Sequence, residues 1–210
     1  MRAHSFVAAF AIGLAGLGCG DARESHGARP SAALSPEAYD RWRKPERVVA
    51  ALGLVRGQTV ADVGAGTGYF TLRLAEAVGP AGRVTATDVD PAALSILARL
   101  SRRASTSAAA APIDVRRVEP DDPGLESGRY DRILVAQVDH LLADRVDYLR
   151  RLRAALAPGG RVAVANRIHH RAALLGAVAA AGYSVAADVT ELPGQFLVLL
   201  APKPDREASP

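Results

Sequence analysis

The residues with the plainest chemistry lie in Val60-Ala61-Asp62-Val63-Gly64-Ala65-Gly66-Thr67-Gly68-Tyr69-Phe70. An apolar run ends in three alternating glycines, and an acid stands two residues before the first of them. Glycines let a backbone turn tightly and close on a bulky ligand, and the amides at the start of a following helix can meet an anion. A carboxylate at the strand end can accept hydrogen bonds from an ammonium group. The dinucleotide fingerprint G-x-G-x-x-G, counted from Gly64 and Gly66, needs a small residue at 69, where Tyr69 stands. No Gly-Lys-Ser/Thr follows either, so the phosphate-loop pattern fails as well. What remains is D-x-G-x-G-x-G, a turn suited to a nucleoside-type ligand.

A second acid fits such a ligand. Thr87-Asp88-Val89-Asp90-Pro91 closes the next strand candidate, with Asp88 20 residues after Gly68. An acceptor-only carboxylate suits the two hydroxyls of a ribose. Asp90 competes for that role, but its place before Pro91 fits a helix N-cap better. Further along stand Glu119 and Asp121, which also read as a solvated turn, and then Gln137-Val138-Asp139-His140. Asp139 and His140 could take a proton from an acceptor, or simply cap and pack the helix that follows. His169-His170 has no carboxylate or cysteine at ligand spacing, so metal binding there is the weaker reading.

The elements that must position these groups follow from pattern. Seven short apolar runs, near residues 59–63, 83–87, 113–118, 130–136, 161–165, 183–189 and 196–201, read as strands. Helical periodicity separates most of them: Phe70, Leu74 and Val78; Leu94, Leu97 and Leu100; Val146, Leu149, Leu152 and Leu156, ended by Pro158-Gly159-Gly160. Ser35-Pro36-Glu37 starts a helix, Pro45 restarts one, and residues 105–111 form a Ser/Ala loop or a frayed helix end. Only Glu191-Leu192-Pro193-Gly194-Gln195 separates the last two strands, too little for a crossover, so they should form an antiparallel hairpin. Five alternating β-α units and a hairpin predict an α/β fold. Its sheet would be Rossmann-like, seven-stranded and mostly parallel, with helices on both faces.

Composition narrows the function classes. The net charge is +4, falling to +3 if a leader containing Arg2 is removed, which is too little for a nucleic-acid partner. Aromatics are 5% and two of the four Phe lie in the first ten residues, so a base-stacking platform is excluded too. One cysteine excludes an internal disulfide framework and a cysteine-based zinc cluster.

That cysteine belongs to a separate object. Twelve uncharged residues, 6–17, follow Arg2 and His4, too short a run to span a bilayer, and Cys19 comes directly after. The segment resembles a bacterial lipoprotein signal, although Gly16 stands where that pattern has a branched aliphatic. A generic export signal and an unprocessed apolar N-terminus are the other readings. The expected organisation is a signal peptide at 1–18, a flexible tether at 19–34, one domain at 35–202 and a loose tail at 203–210. Lipidation of Cys19 would place the protein in the cell envelope, held to the membrane by a lipid anchor only; without export it would be cytoplasmic.

From about residue 34 to 202 the chain resembles the class I S-adenosylmethionine-dependent methyltransferases, whose first motif has the form D-x-G-x-G-x-G. The resemblance implies S-adenosyl-L-methionine as cofactor, bound by Asp62, Gly64, Gly66, Gly68, Asp88, Val89, Glu119 and Gln137, with Glu119 at the adenine amine. It implies a small-molecule methyl acceptor near Asp139 and His140. Many relatives with a similar Trp-x-Lys-Pro entry, here Trp42-Arg43-Lys44-Pro45, have paired histidines after the fourth strand; this chain has only His140. In similar proteins the entry helix lies over the cofactor cleft as a lid, which would make Trp42 a wall of the site. The alternative function is an exported binding module that keeps the fold and a nucleoside-like ligand without catalysis.

Overall fold

The computed structural model describes residues 36–104 and 109–204, which belong to one compact unit. Cys19 and the proposed leader, tether and last residues of the tail lie outside the described residues. The described residues begin with two short helices, α1 (Pro36–Arg43) and α2 (Pro45–Ala51). Then follow β1 (Thr59–Val63), α3 (Thr71–Val78), β2 (Arg83–Asp88), α4 (Pro91–Ala104), β3 (Ile113–Arg117) and β4 (Tyr130–Ala136). The remainder is α5 (Arg145–Ala155), β5 (Leu156–Arg167), α6 (Arg171–Val178), β6 (Tyr183–Val189) and β7 (Gln195–Pro202).

The strands form one sheet in the order β3-β2-β1-β4-β5-β7-β6, parallel from β3 to β5 and antiparallel on both sides of β7. The expected mostly parallel, Rossmann-like α/β sheet with a terminal hairpin is therefore present. Strand alternation sends Ile133, Val135, Val162, Val164 and Val198 to one face, where α5 and α6 cover them with Leu149, Leu152 and Leu174. Val60, Val84, Leu134 and Leu197 go to the other face, under Val48 of α2, Leu52 at its end, and Leu74 and Val78 of α3. Local chemistry starts the helices. Pro45 and Glu46 open α2, Asp144 accepts the Asp147 amide at 3.0 Å to cap α5, and Asp90 accepts the Ala92 amide at 2.8 Å at the head of α4.

Two departures from the sequence expectation have physical causes. Leu156 leaves α5 in an extended conformation and pairs with Tyr130, so β5 starts five residues before Arg161. The register shift between Tyr130 and Arg132 takes up the extra residues around Gly159 and Gly160. The β3–β4 link, residues 118–129, carries no helix, so only four of the five expected units have one. A polar network takes its place. Arg116 donates to Gly124 O (3.1 Å) and Glu126 Oε1 (2.7 Å) and pairs with Asp114, while Tyr130 donates its one proton to Glu126 and accepts from the Thr85 hydroxyl at 3.2 Å. The Arg116 and Tyr130 hydrogen bonds pull the Glu126 carboxyl down to about 2.

Candidate active site

The site lies at the carboxyl ends of β1, β2, β4 and β5, where open α/β sheets hold ligands. After Val63 the chain turns through Gly64, Gly66 and Gly68, all at positive φ (71°, 55° and 94°). The amides of Gly64 and Ala65 both donate to Thr87 O, at 2.8 and 3.0 Å, and the Gly66 amide donates to Asp88 Oδ2 at 2.7 Å. The turn is thus fastened to the end of β2.

The three glycines have different neighbours. A Cβ on Gly64 would meet Val138 Cγ2 at 2.1 Å, and one on Gly68 would meet Leu97 Cδ1 at 2.4 Å. One on Gly66 would meet nothing within 4 Å. Gly64 and Gly68 are needed for packing, whereas Gly66 faces open space, as a ligand-facing backbone must.

Asp62 is 2% exposed, and its Oδ2 accepts the Thr71 hydroxyl at 2.6 Å. Burial pushes its carboxyl up to about 6, against the Thr71 hydrogen bond and the nearby Arg43, with Asp88 adding to the rise. Such a buried acid suits a cationic ligand group. Asp88 is half-buried, and its two oxygens accept from Gly66 N and from Asp90 N (2.9 Å). Each oxygen keeps a further lone pair for a hydroxyl. The Val118 amide donates to Asp88 O at 3.1 Å, bringing the start of the β3–β4 link, with exposed Glu119, beside Asp88 and the exposed Val89.

Gln137 follows β4 at φ 64°, and its amide donates to Ala165 O at 2.7 Å. Its Nε2 is buried without a hydrogen-bond partner. A buried donor left unpaired costs about 1–3 kcal/mol, which an oxygen of a bound ligand would remove. The open space at Gly66, the free lone pairs of Asp88, the buried Asp62 and this orphaned amide together fit an adenosyl amino acid.

Helix α1 lies against this edge. The Arg43 guanidinium sits 5.1–5.9 Å from the ring centres of Tyr39, Trp42, Tyr69 and Phe70, and its Nε is buried without a hydrogen-bond partner. Asp40 accepts from Tyr69 Oη (2.5 Å) and Arg73 (3.3 Å), and Gln195 Nε2 donates to Trp42 O at 2.5 Å. The hinge residue Lys44 is at φ 48°, an unfavourable conformation for a side-chain-bearing residue just before a proline. A 230 Å³ cavity near Arg83 and Arg116 and a 710 Å³ groove near Arg153 and Gly182 open away from this edge. Arg43 and its rings occupy the space beside Asp62 instead.

The ends of β4 and β5 hold what sequence reasoning missed. His170 stacks on His140 (centroids 4.5 Å apart, 21° between planes), with His169 4.0 Å from His170, so a histidine pair forms across thirty residues. Asp139 is 2% exposed, accepts from Asn166 Nδ2 at 2.5 Å and lies 3.5 Å from Arg145 Nε. Asn166 carries no local signal; it reaches the site only through the fold. No group of three potential metal-ligating side chains occurs among the described residues.

Residues 61–162, which contain the glycine turn, β2 and β4, match the family model described as a methyltransferase domain. The chain has the fold of the S-adenosylmethionine-dependent methyltransferases. One such enzyme from Aquifex aeolicus superposes with a TM-score of 0.71 at 22% identity, covering 80% of this chain and 93% of that one. A putative one from Methanococcus maripaludis gives 0.66 at 13% identity, covering 81% and 89%. Among curated proteins, the demethylmenaquinone methyltransferase of Staphylococcus aureus is 30% identical over 131 residues, 61% of this chain. The chain spans about half the length of the curated relatives it matches.

Proposed function

We propose that this protein transfers a methyl group from S-adenosylmethionine to a nucleophile on a small molecule. The observation that carries the reading is the convergence of Asp62, the open face at Gly66 and the tethered carboxylate of Asp88 at one sheet edge. In this reading Asp62 receives the ammonium of the cofactor, Asp88 its ribose hydroxyls and Glu119 with Val89 its adenine. Gln137 supplies an amide to a ligand oxygen. The cofactor supplies a methyl on a sulfonium: the acceptor's electron pair forms the new bond and the carbon–sulfur pair leaves with sulfur. The protein's work is alignment, worth about 7 kcal/mol or more where nucleophile, methyl and sulfur are held in line. His140, with Asp139 behind it, faces the acceptor.

The test is calorimetric titration of the purified chain with S-adenosylmethionine and S-adenosylhomocysteine. Micromolar binding of both is expected, and no heat at millimolar ligand sinks the reading. Demethylmenaquinone is the first acceptor to assay, because the curated relative is named for it.

The apolar segment before Cys19 favours a second reading, an exported binding module without catalysis. An adenosyl ligand that binds, with no methyl transfer to any acceptor, selects this reading.

A further inference from the structure

We propose that Asn166 is a positioning residue that fixes His140 as the tautomer protonated on Nε2, making the site selective for acceptors with an anionic oxygen, phenols and enols. The proposal rests on the methyl-transfer reading above. Asn166 is fully buried at the end of β5. Its Nδ2 donates to Asp139 Oδ1 at 2.5 Å and lies 3.0 Å from His140 Nδ1, and its Oδ1 accepts the Arg167 amide at 2.7 Å. Turning the amide over would set oxygen against Asp139 and an NH2 against the Arg167 amide, so its orientation is fixed. Both Nδ2 hydrogens are then used, and His140 Nδ1 must accept one of them.

The proton of the neutral ring therefore sits on Nε2. Burial, His170, Arg145 and His169 all push the ring toward the neutral form, and Asp139 alone opposes them. Arg167 acts on the neighbouring His170 in the same sense. His170 stacks on the ring from a different element and braces it. Arg145 holds Asp139, which holds Asn166, which holds His140.

An N–H aimed at the acceptor steadies negative charge on an oxygen; it does not remove a proton from an amine. The acceptor enters as the phenolate or enolate, its proton already lost to water. Its electron pair forms the bond to the methyl carbon, the carbon–sulfur pair goes to sulfur, and the Nε2 proton stays on nitrogen. In carbon methylation of an aromatic ring, the displaced ring proton leaves to water afterwards.

The test is long-range proton–nitrogen NMR of the histidine rings in the full chain. The Nε2–H tautomer is expected for His140 in the free protein, and an Nδ1–H tautomer overturns the proposal whether or not the cofactor binds. Asn166→Asp should move the proton to Nδ1 and raise the His140 pKa by at least one unit. Asn166→Ala should give mixed tautomers. Both variants should hold S-adenosylhomocysteine within threefold of wild type; an unchanged tautomer in both overturns the positioning role. With S-adenosylhomocysteine bound, catechol should shift the His140 Nε2 proton and aniline should not; the reverse overturns the acceptor class. Failure of S-adenosylhomocysteine to bind wild type counts against the methyl-transfer reading, while the tautomer still decides this one.

Discussion

Asp88 accepts the Gly66 amide proton at 2.7 Å, so one carboxylate both closes the glycine turn and offers lone pairs to a ligand at the same edge. Asp88→Ala is therefore expected to weaken S-adenosylhomocysteine binding by about 1.5–3 kcal/mol, the range for hydrogen bonds to a charged group. Asp90 caps α4 through Ala92 and should leave affinity nearly intact when changed to alanine. Calorimetry on both variants checks the assignment; the opposite ranking moves the ribose contact to Asp90.

The glycines should separate folding from binding. Gly68→Ala drives a Cβ into Leu97 and should lower stability by about 1–3 kcal/mol, as overpacking does. Gly66→Val has room among the protein's own atoms but fills the ligand-facing space and strains a backbone at φ 55°. It should stay folded by circular dichroism and lose the cofactor. A folded Gly66→Val protein with wild-type affinity would remove this turn from the binding site.

Asp62 makes stability depend on pH. Its carboxyl is raised to about 6 by burial, so the folded state holds a proton that the unfolded chain releases near pH 4. Folding stability falls as pH rises from about 4 to 6 and stays lower above that. Asp62→Asn should keep the Thr71 hydrogen bond, gain up to roughly 3 kcal/mol at pH 8 and lose cofactor affinity. Melting curves at pH 4 and 8 should show the gain only at the higher pH.

Arg43 favours the ionised form of Asp62, and losing that charge raises the Asp62 carboxyl further. If the cofactor's ammonium needs an ionised Asp62, Arg43→Met should move the pH midpoint of S-adenosylhomocysteine binding upward. Trp42, the only tryptophan, stands beside Arg43 and gives a fluorescence readout for the titration. A midpoint unchanged by the substitution would uncouple Arg43 from the acid.

Cys19→Ser should release the protein from the membrane fraction and leave the cofactor affinity unchanged. Fractionation with mass spectrometry of the N-terminal peptide decides it. A soluble wild-type protein with an unmodified Met1 makes a cytosolic location the better account.

Much of the scaffold was legible in the sequence because its signals are local. Gly53, Gly57 and Gly64 bracket β1, and Pro193-Gly194 sits in too short a gap for a helix, which dictated the hairpin of β6 and β7. The convergence of Asp62, the glycine turn and Asp88 was legible for the same reason, since D-x-G-x-G-x-G and Asp88 lie within one β-α-β unit. The surroundings of His140 were not. His170 meets His140 only because the short 3-10 turns Asp139–Leu141 and Ile168–His170 follow neighbouring strands β4 and β5, and Asn166 looks like any strand residue until β5 is placed beside β4. The hydrogen bond from Gln195 to Trp42 spans 153 residues, which no periodicity or spacing encodes.

Strand β7 is made after β6, yet it lies between β5 and β6 in the sheet. Among the described residues β6 pairs with β7 and with no other strand, so it has nowhere to dock until residues 195–202 exist as chain. The sheet thus cannot be completed in the order of synthesis. β1 to β5 can assemble on a growing polypeptide, but β6 must wait as an unpaired segment until the final strand reaches back over it. A chain stopped before Gln195 would expose the antiparallel edge of β5 along with a stranded β6. Truncation before Gln195 should therefore yield an aggregating product rather than a slightly shorter working one.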